Sequence, residues 1–175
     1  GWGLRPTEEW LPPRRQGEVR VGITWQGNPS YERDHLRSVA IQKLTSLFAV
    51  EHVTFYSLQK YDGSDQLRFV EPSLRPVDLG SRLDNSGQAF LETVQAMKEL
   101  DLVISTDTST VHLAGALGVP CWVLLPFAPD WRWGLNSEST PWYSNMKLFR
   151  QTSPKDWASV VDKVKRALVA LKVST

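Results

Sequence analysis

The stretch DLVISTDTSTVHLAGALGVPCWVLLP, residues 101–126, decides the fold. Leu102, Val103 and Ile104 form a short apolar, β-branched run that stops at six polar residues, Ser105 to Thr110. Small and apolar residues follow, with His112 near their start, then Gly118, then a second apolar run from Cys121 to Pro126. Short continuous apolar runs are the pattern of strands buried on both faces, and the segment between them has helical length with a glycine placed to close it. Strand, turn, helix, strand is therefore the unit.

Outward from this unit the pattern repeats. VRVGITW (19–25) reads as a first strand, followed by a polar loop (26–38) with turn signals at Gly27, Asn28 and Pro29. Ser38 is placed to cap a helix that buries Ile41, Leu44 and Phe48. HVTFYSLQ (52–59) and RPVDLG (75–80) read as the second and third strands, and Phe90, Val94 and Met97 have helical spacing. MKLFRQ (146–151) reads as the sixth strand. In the last helix Ser153 is expected to cap, with Pro154 at the first helical position and Asp156 in the first turn. That helix is expected to bury Trp157, Val160, Val161, Val164, Leu168 and Leu171. Strands alternating with helices imply a Rossmann-like, doubly wound α/β domain with a parallel sheet.

The chain of 175 residues is long enough for one such core. A net charge of +1 points to neither nucleic acid nor a charged membrane surface, and no apolar run reaches the length of a membrane span. The single cysteine, Cys121, excludes an internal disulfide and fits a reducing compartment, so a cytoplasmic location is expected. GWGLRPTEEWLPPRRQGE (1–18), rich in Pro, Gly and charge, reads as a linker or severed edge ahead of a domain spanning 19–175. That reading makes the chain a fragment of a longer protein.

Ligands of open α/β sheets bind beyond the carboxyl ends of the strands. Neither a G-x-G-x-x-G fingerprint nor a P-loop is present, and three scattered histidines with one cysteine make no zinc site. No G-x-S-x-G elbow is present either. The turn at Asp107, Thr108, Ser109 and Thr110 opens a helix, whose unpartnered N–H groups and positive dipole end suit an anion such as phosphate. The same residues also suit a plain N-cap at Asp107 or Thr108, and His112 also suits a packed core histidine. In the loop after the first strand, Arg33 reads as solvated charge and Arg37 as a counter-charge at the mouth of the crevice. Eight tryptophans are many for this length, and Trp131 and Trp133 fall in a loop-like segment, PFAPDWRW. There Asp130 suits a cap and Arg132 an ion pair, while one indole is expected to wall the cleft.

These motifs resemble the heptosyltransferase-related glycosyltransferases, in particular the domains that follow tetratricopeptide repeats in bacterial proteins. The likeness rests on WxGNP at Trp25 to Pro29, the basic Arg37 and SLQK at residues 57–60. It extends through DTSTVHLAGALGVP at 107–120, PFAPDWRW at 126–133 and TPWYSNMKLFRQ at 140–151. The resemblance implies the C-terminal, nucleotide-sugar-binding half of a GT-B fold. It implies an inverting hexosyl or heptosyl transfer, and no cofactor beyond the nucleotide-sugar donor as substrate. Asp107, Thr108 and Ser109 would meet diphosphate and sugar, with Thr110 and His112 beside them, Arg37 on the phosphates, and Gln59 and Lys60 near the nucleotide. Ser109 stands where heptosyltransferases carry glycine. No catalytic base is assigned; the resemblance places it in the N-terminal acceptor domain, which is not part of this sequence, and the acceptor is open. A non-catalytic sensing or protein-interaction domain is the alternative, and a sugar-nucleotide epimerase is disfavoured by the missing glycine fingerprint.

Overall fold

In a computed structural model, residues 10–28, 30, 34–84, 90–127 and 144–171 are described. Six strands are formed by β1 (Val19–Thr24), β2 (Val53–Ser57), β3 (Val77–Asp78), β4 (Leu102–Thr106), β5 (Cys121–Leu125) and β6 (Met146–Arg150). They make one sheet in the order β3-β2-β1-β4-β5-β6, parallel throughout. The helices are α1 (Asp34–Arg37), α2 (Thr45–Phe48), α3 (Leu91–Met97), α4 (Ser109–Leu117) and α5 (Trp157–Ala170). This is the Rossmann-like doubly wound arrangement that the alternation of strands and helices implies.

The two-residue period of a strand divides the core between the two faces of the sheet. Val19, Val21 and Ile23 of β1 and Leu102 and Ile104 of β4 pack with Leu47 of α2 and with Val160, Val164 and Leu168 of α5. Val103, Cys121, Val123 and Leu125 face the other way, against Ala96 and Met97 of α3 and Val111 and Ala114 of α4. Every residue of β1 and β4 is buried, the polar Arg20, Thr24, Ser105 and Thr106 included. The Cys121 thiol lies within this second layer, and burial pushes its pKa up to about 12. Gly118 closes α4 at φ 73°, the left-handed C-cap conformation that glycine adopts without a Cβ clash.

Three local expectations are corrected. Ser38 caps no helix: its hydroxyl donates to Asp34 Oδ2 and accepts from Gly27 N–H. The following segment is a 3-10 turn, Ile41–Leu44, that runs into α2 and still buries Ile41, Leu44 and Phe48. Phe90 is half-exposed ahead of α3, and the buried face of that helix is Thr93, Ala96 and Met97. Asp156, not Ser153, caps α5, accepting from Ser159 N–H. The core residues expected of α5 are buried, with Leu171 packed against them.

Residues 10–18, within the stretch expected as a linker, lie against the domain. Trp10 donates its backbone N–H to Glu99 at 2.8 Å and its indole N–H to Gln95 at 3.2 Å. Leu11 is buried, and Arg14 pairs with Asp101 at 2.6 Å.

Candidate functional site

The strand order reverses between β1 and β4, because β1 continues to β2 on one side and pairs with β4 on the other. A cavity of about 590 Å³ opens at that switch point. Its wall comes from the loops after β1 and β2, the turn after β4 and the start of α4. Arg37, Gln59, Lys60, Asp107, Thr108, Ser109, Thr110 and His112 all line it, so residues spread over 76 positions of sequence meet in one cavity. Trp131 and Trp133, expected as a cleft wall, lie outside the described residues, as do Arg33, Asp130 and Arg132.

The turn after β4 is built on hydroxyls. Thr24 and Ser105, paired across β1 and β4, share a short buried hydrogen bond, and Ser105 Oγ also donates to Thr106 O at 2.7 Å. Thr108 Oγ1 lies 3.2 Å from Ser105 Oγ. Thr108 occupies the N-cap position of α4, but its side chain makes no capping hydrogen bond. The start of the helix lines the cavity with its first amides not capped by Thr108, and Ser109 beside them is exposed. His112 is half-buried, its Nε2 3.9 Å from Asp107 Oδ1, an ion-pair distance for a protonated imidazole and too long for a hydrogen bond.

Arg37 reaches this turn from the other side of the switch point. Its Nη1 donates to Asp107 O at 3.0 Å, and its Nε pairs with Asp34 Oδ1 at 2.9 Å. The buried Asp34 was not picked out from the sequence; its spacing of three from Arg37 is the signal that marks it. Asp34 Oδ2 takes the Ser38 hydroxyl, which holds Gly27 N–H at 3.2 Å, so α1 and the β1 loop form one hydrogen-bonded unit. A side chain at Gly27 would displace the Arg37–Asp34 pair. A Cβ on it would lie 2.4 Å from Arg37 Nη2 and 2.6 Å from Asp34 Oδ1.

Gln59 and Lys60 have different tasks. The Gln59 amide is buried and its oxygen accepts from Trp25 N–H (3.0 Å) and Gln26 N–H (3.1 Å). Its nitrogen donates to Gln26 O (2.8 Å) and Asp62 O (3.0 Å). The side chain is a clip between the loops after β1 and β2, with both its oxygen and its nitrogen engaged. The Lys60 ammonium is held by Asp84 and by Thr93 Oγ1, and stands 5.4 Å from the centre of the Phe90 ring. Burial pushes the Asp84 carboxyl up, but hydrogen bonds from Lys60 and Thr93 and the Lys60 charge outweigh it, so its pKa lies below the usual carboxylate range. Asp84 also accepts from Glu92 N–H at 2.8 Å, and Glu92 Oε1 accepts from Asp84 N–H at 3.0 Å, a reciprocal cap on α3. No sequence pattern announces Asp84, because six residues separate it from the helical segment it caps.

The fold and the cavity at its switch point define a Rossmann-like α/β domain, and the fold recurs in a GT-B glycosyltransferase. The E. coli structure titled ADP-heptose LPS heptosyltransferase II superposes with a TM-score of 0.60 over 89% of this chain and 47% of that one, at 14% sequence identity. By sequence, Protein FlbA of Caulobacter vibrioides is 31% identical over 117 residues, which is 66% of this chain and 19% of FlbA. The chain thus spans about a fifth of the one relative and about half of the other. No family model matches the sequence. No helix among the described residues is long and apolar enough to cross a membrane.

Proposed function

We propose that this domain binds the nucleotide-sugar donor of a GT-B glycosyltransferase, with the diphosphate at the N-terminus of α4. The observation that carries the reading is the convergence at the switch point: Arg37 meets the turn at Asp107, beside the first amides of α4, which the Thr108 side chain does not cap. Those amides, Arg37 and the hydroxyls of Ser109 and Thr110 supply donors where a diphosphate would lie. Asp107 and His112 would face the sugar, and Lys60 the nucleotide. Ser109 in place of glycine supports a donor or a phosphate grip other than that of the heptosyltransferases.

In this reading transfer is a single displacement with inversion. The acceptor oxygen bonds to the anomeric carbon as the carbon–oxygen bond to the diphosphate breaks, and the electron pair leaves with the diphosphate. Arg37 and the α4 dipole stabilise that developing charge, so no cofactor is called for. The acceptor's proton passes to a base on a companion domain, which would also bring the acceptor. A cytoplasmic location and a setting beside tetratricopeptide repeats belong to the same proposal.

Calorimetric titration with ADP, UDP and GDP, with and without EDTA, is the test. Binding by at least one, equal in both buffers, is the expected result. Arg37→Ala is expected to weaken it by about 1.5–3 kcal/mol, as for loss of a charge-assisted contact, in a domain that stays folded but melts lower because the buried Asp34 loses its ion pair. No heat with any of the three at millimolar concentration overturns the reading.

A further inference from the structure

The cavity has two aromatic lining residues that the diphosphate reading does not use. Phe90 and Tyr61 line it, 49% and 83% exposed respectively. Neither belongs to either core cluster, so burial in the core accounts for neither ring. Both also hold a left-handed backbone, φ 60° at Phe90 and φ 55° at Tyr61. Bulky residues rarely adopt that region, and such outliers gather where a ligand is held. Lys60 lines the same cavity. Its ammonium, anchored by Asp84 and Thr93, stands over the Phe90 ring and fixes it as a wall.

We infer that Phe90, with Tyr61 beside it, is the platform on which the donor's nucleobase stacks. The inference rests on the proposed nucleotide-sugar site and adds the residues that tell a nucleoside diphosphate from bare diphosphate. Every base presents a π-face, so the platform favours a nucleoside over none and discriminates weakly among bases. A cavity lined by both anion donors and aromatic rings matches the two chemistries of a nucleoside diphosphate.

Titration with inorganic pyrophosphate and with ADP, UDP and GDP separates the two contributions. The parent protein is expected to bind at least one nucleoside diphosphate more tightly than pyrophosphate. Phe90→Ala is expected to weaken nucleoside diphosphate binding about tenfold, equivalent to about 1.4 kcal/mol, and to leave pyrophosphate binding within twofold. Tyr61→Ala is expected to act in the same direction, and Phe90→Tyr, which keeps the ring, to retain parental affinity. Equal loss on pyrophosphate and nucleotide, or no loss on either, overturns the inference while leaving the donor site standing. So does a parent that binds pyrophosphate as well as any nucleotide. A parent that binds none of the four ligands overturns the donor site and the platform together.

Discussion

At the scale of the residue, two side chains that sequence alone assigns to one ligand prove to do different work. Gln59 and Lys60 are adjacent and both line the cavity, yet Gln59 spends its amide on the backbone of Trp25, Gln26 and Asp62. Gln59→Ala is therefore expected to destabilise the fold by about 2–4 kcal/mol, since buried N–H and C=O groups lose their partners and each net hydrogen bond is worth roughly 1 kcal/mol. Urea unfolding measures it, and a variant as stable as the parent would show that water replaces the amide. What was readable at this scale was residue type and loop; what was not was the partner. Asp34 and Asp84 escaped notice because a carboxylate's meaning lies in what it faces, and both face cations brought close by folding.

At the scale of the element, strands were easy and helix ends were not. β1 and β4 are buried along their whole length, so composition alone marks them. Ser38 and Ser153 both stand in plausible capping positions, but Ser38 is taken by Gly27 and Asp34, and Asp156 is the residue that accepts from the Ser159 amide in the first turn of α5. The cap of α3 is less local still, since Asp84 reaches it from beyond residues 85–89 while holding Lys60. Because its folded-state pKa is depressed, Asp84 contributes stability that is complete above the unfolded carboxylate value of about 3.9 and is lost as pH falls through and below it. Asp84→Asn is expected to lower stability at neutral pH and to flatten the stability curve below about pH 4. An unaltered acid limb in thermal melts at stepped pH would disprove that linkage.

At the scale of the whole molecule, the sequence of strands and helices was enough to place the crevice, because strand order in a doubly wound sheet fixes where the chain reverses direction. It was not enough to show that each cation mapped at the crevice is tied to a carboxylate, Arg37 to Asp34 and Lys60 to Asp84. The second core layer carries a further consequence, through time. Cys121 sits mid-sheet between β4 and β6, and its thiol, with a pKa near 12, offers a thiol reagent neither access nor thiolate while the sheet is closed. Modification of this single cysteine then counts openings of the central sheet, and its rate is a clock for the rarest excursions of the native state. A ligand that binds only the closed domain slows the clock by the factor 1 + [L]/Kd when opening equilibrates quickly. Saturating nucleotide should stretch the labelling half-life in proportion to its concentration; labelling in seconds without ligand would mean that the sheet opens locally around β5.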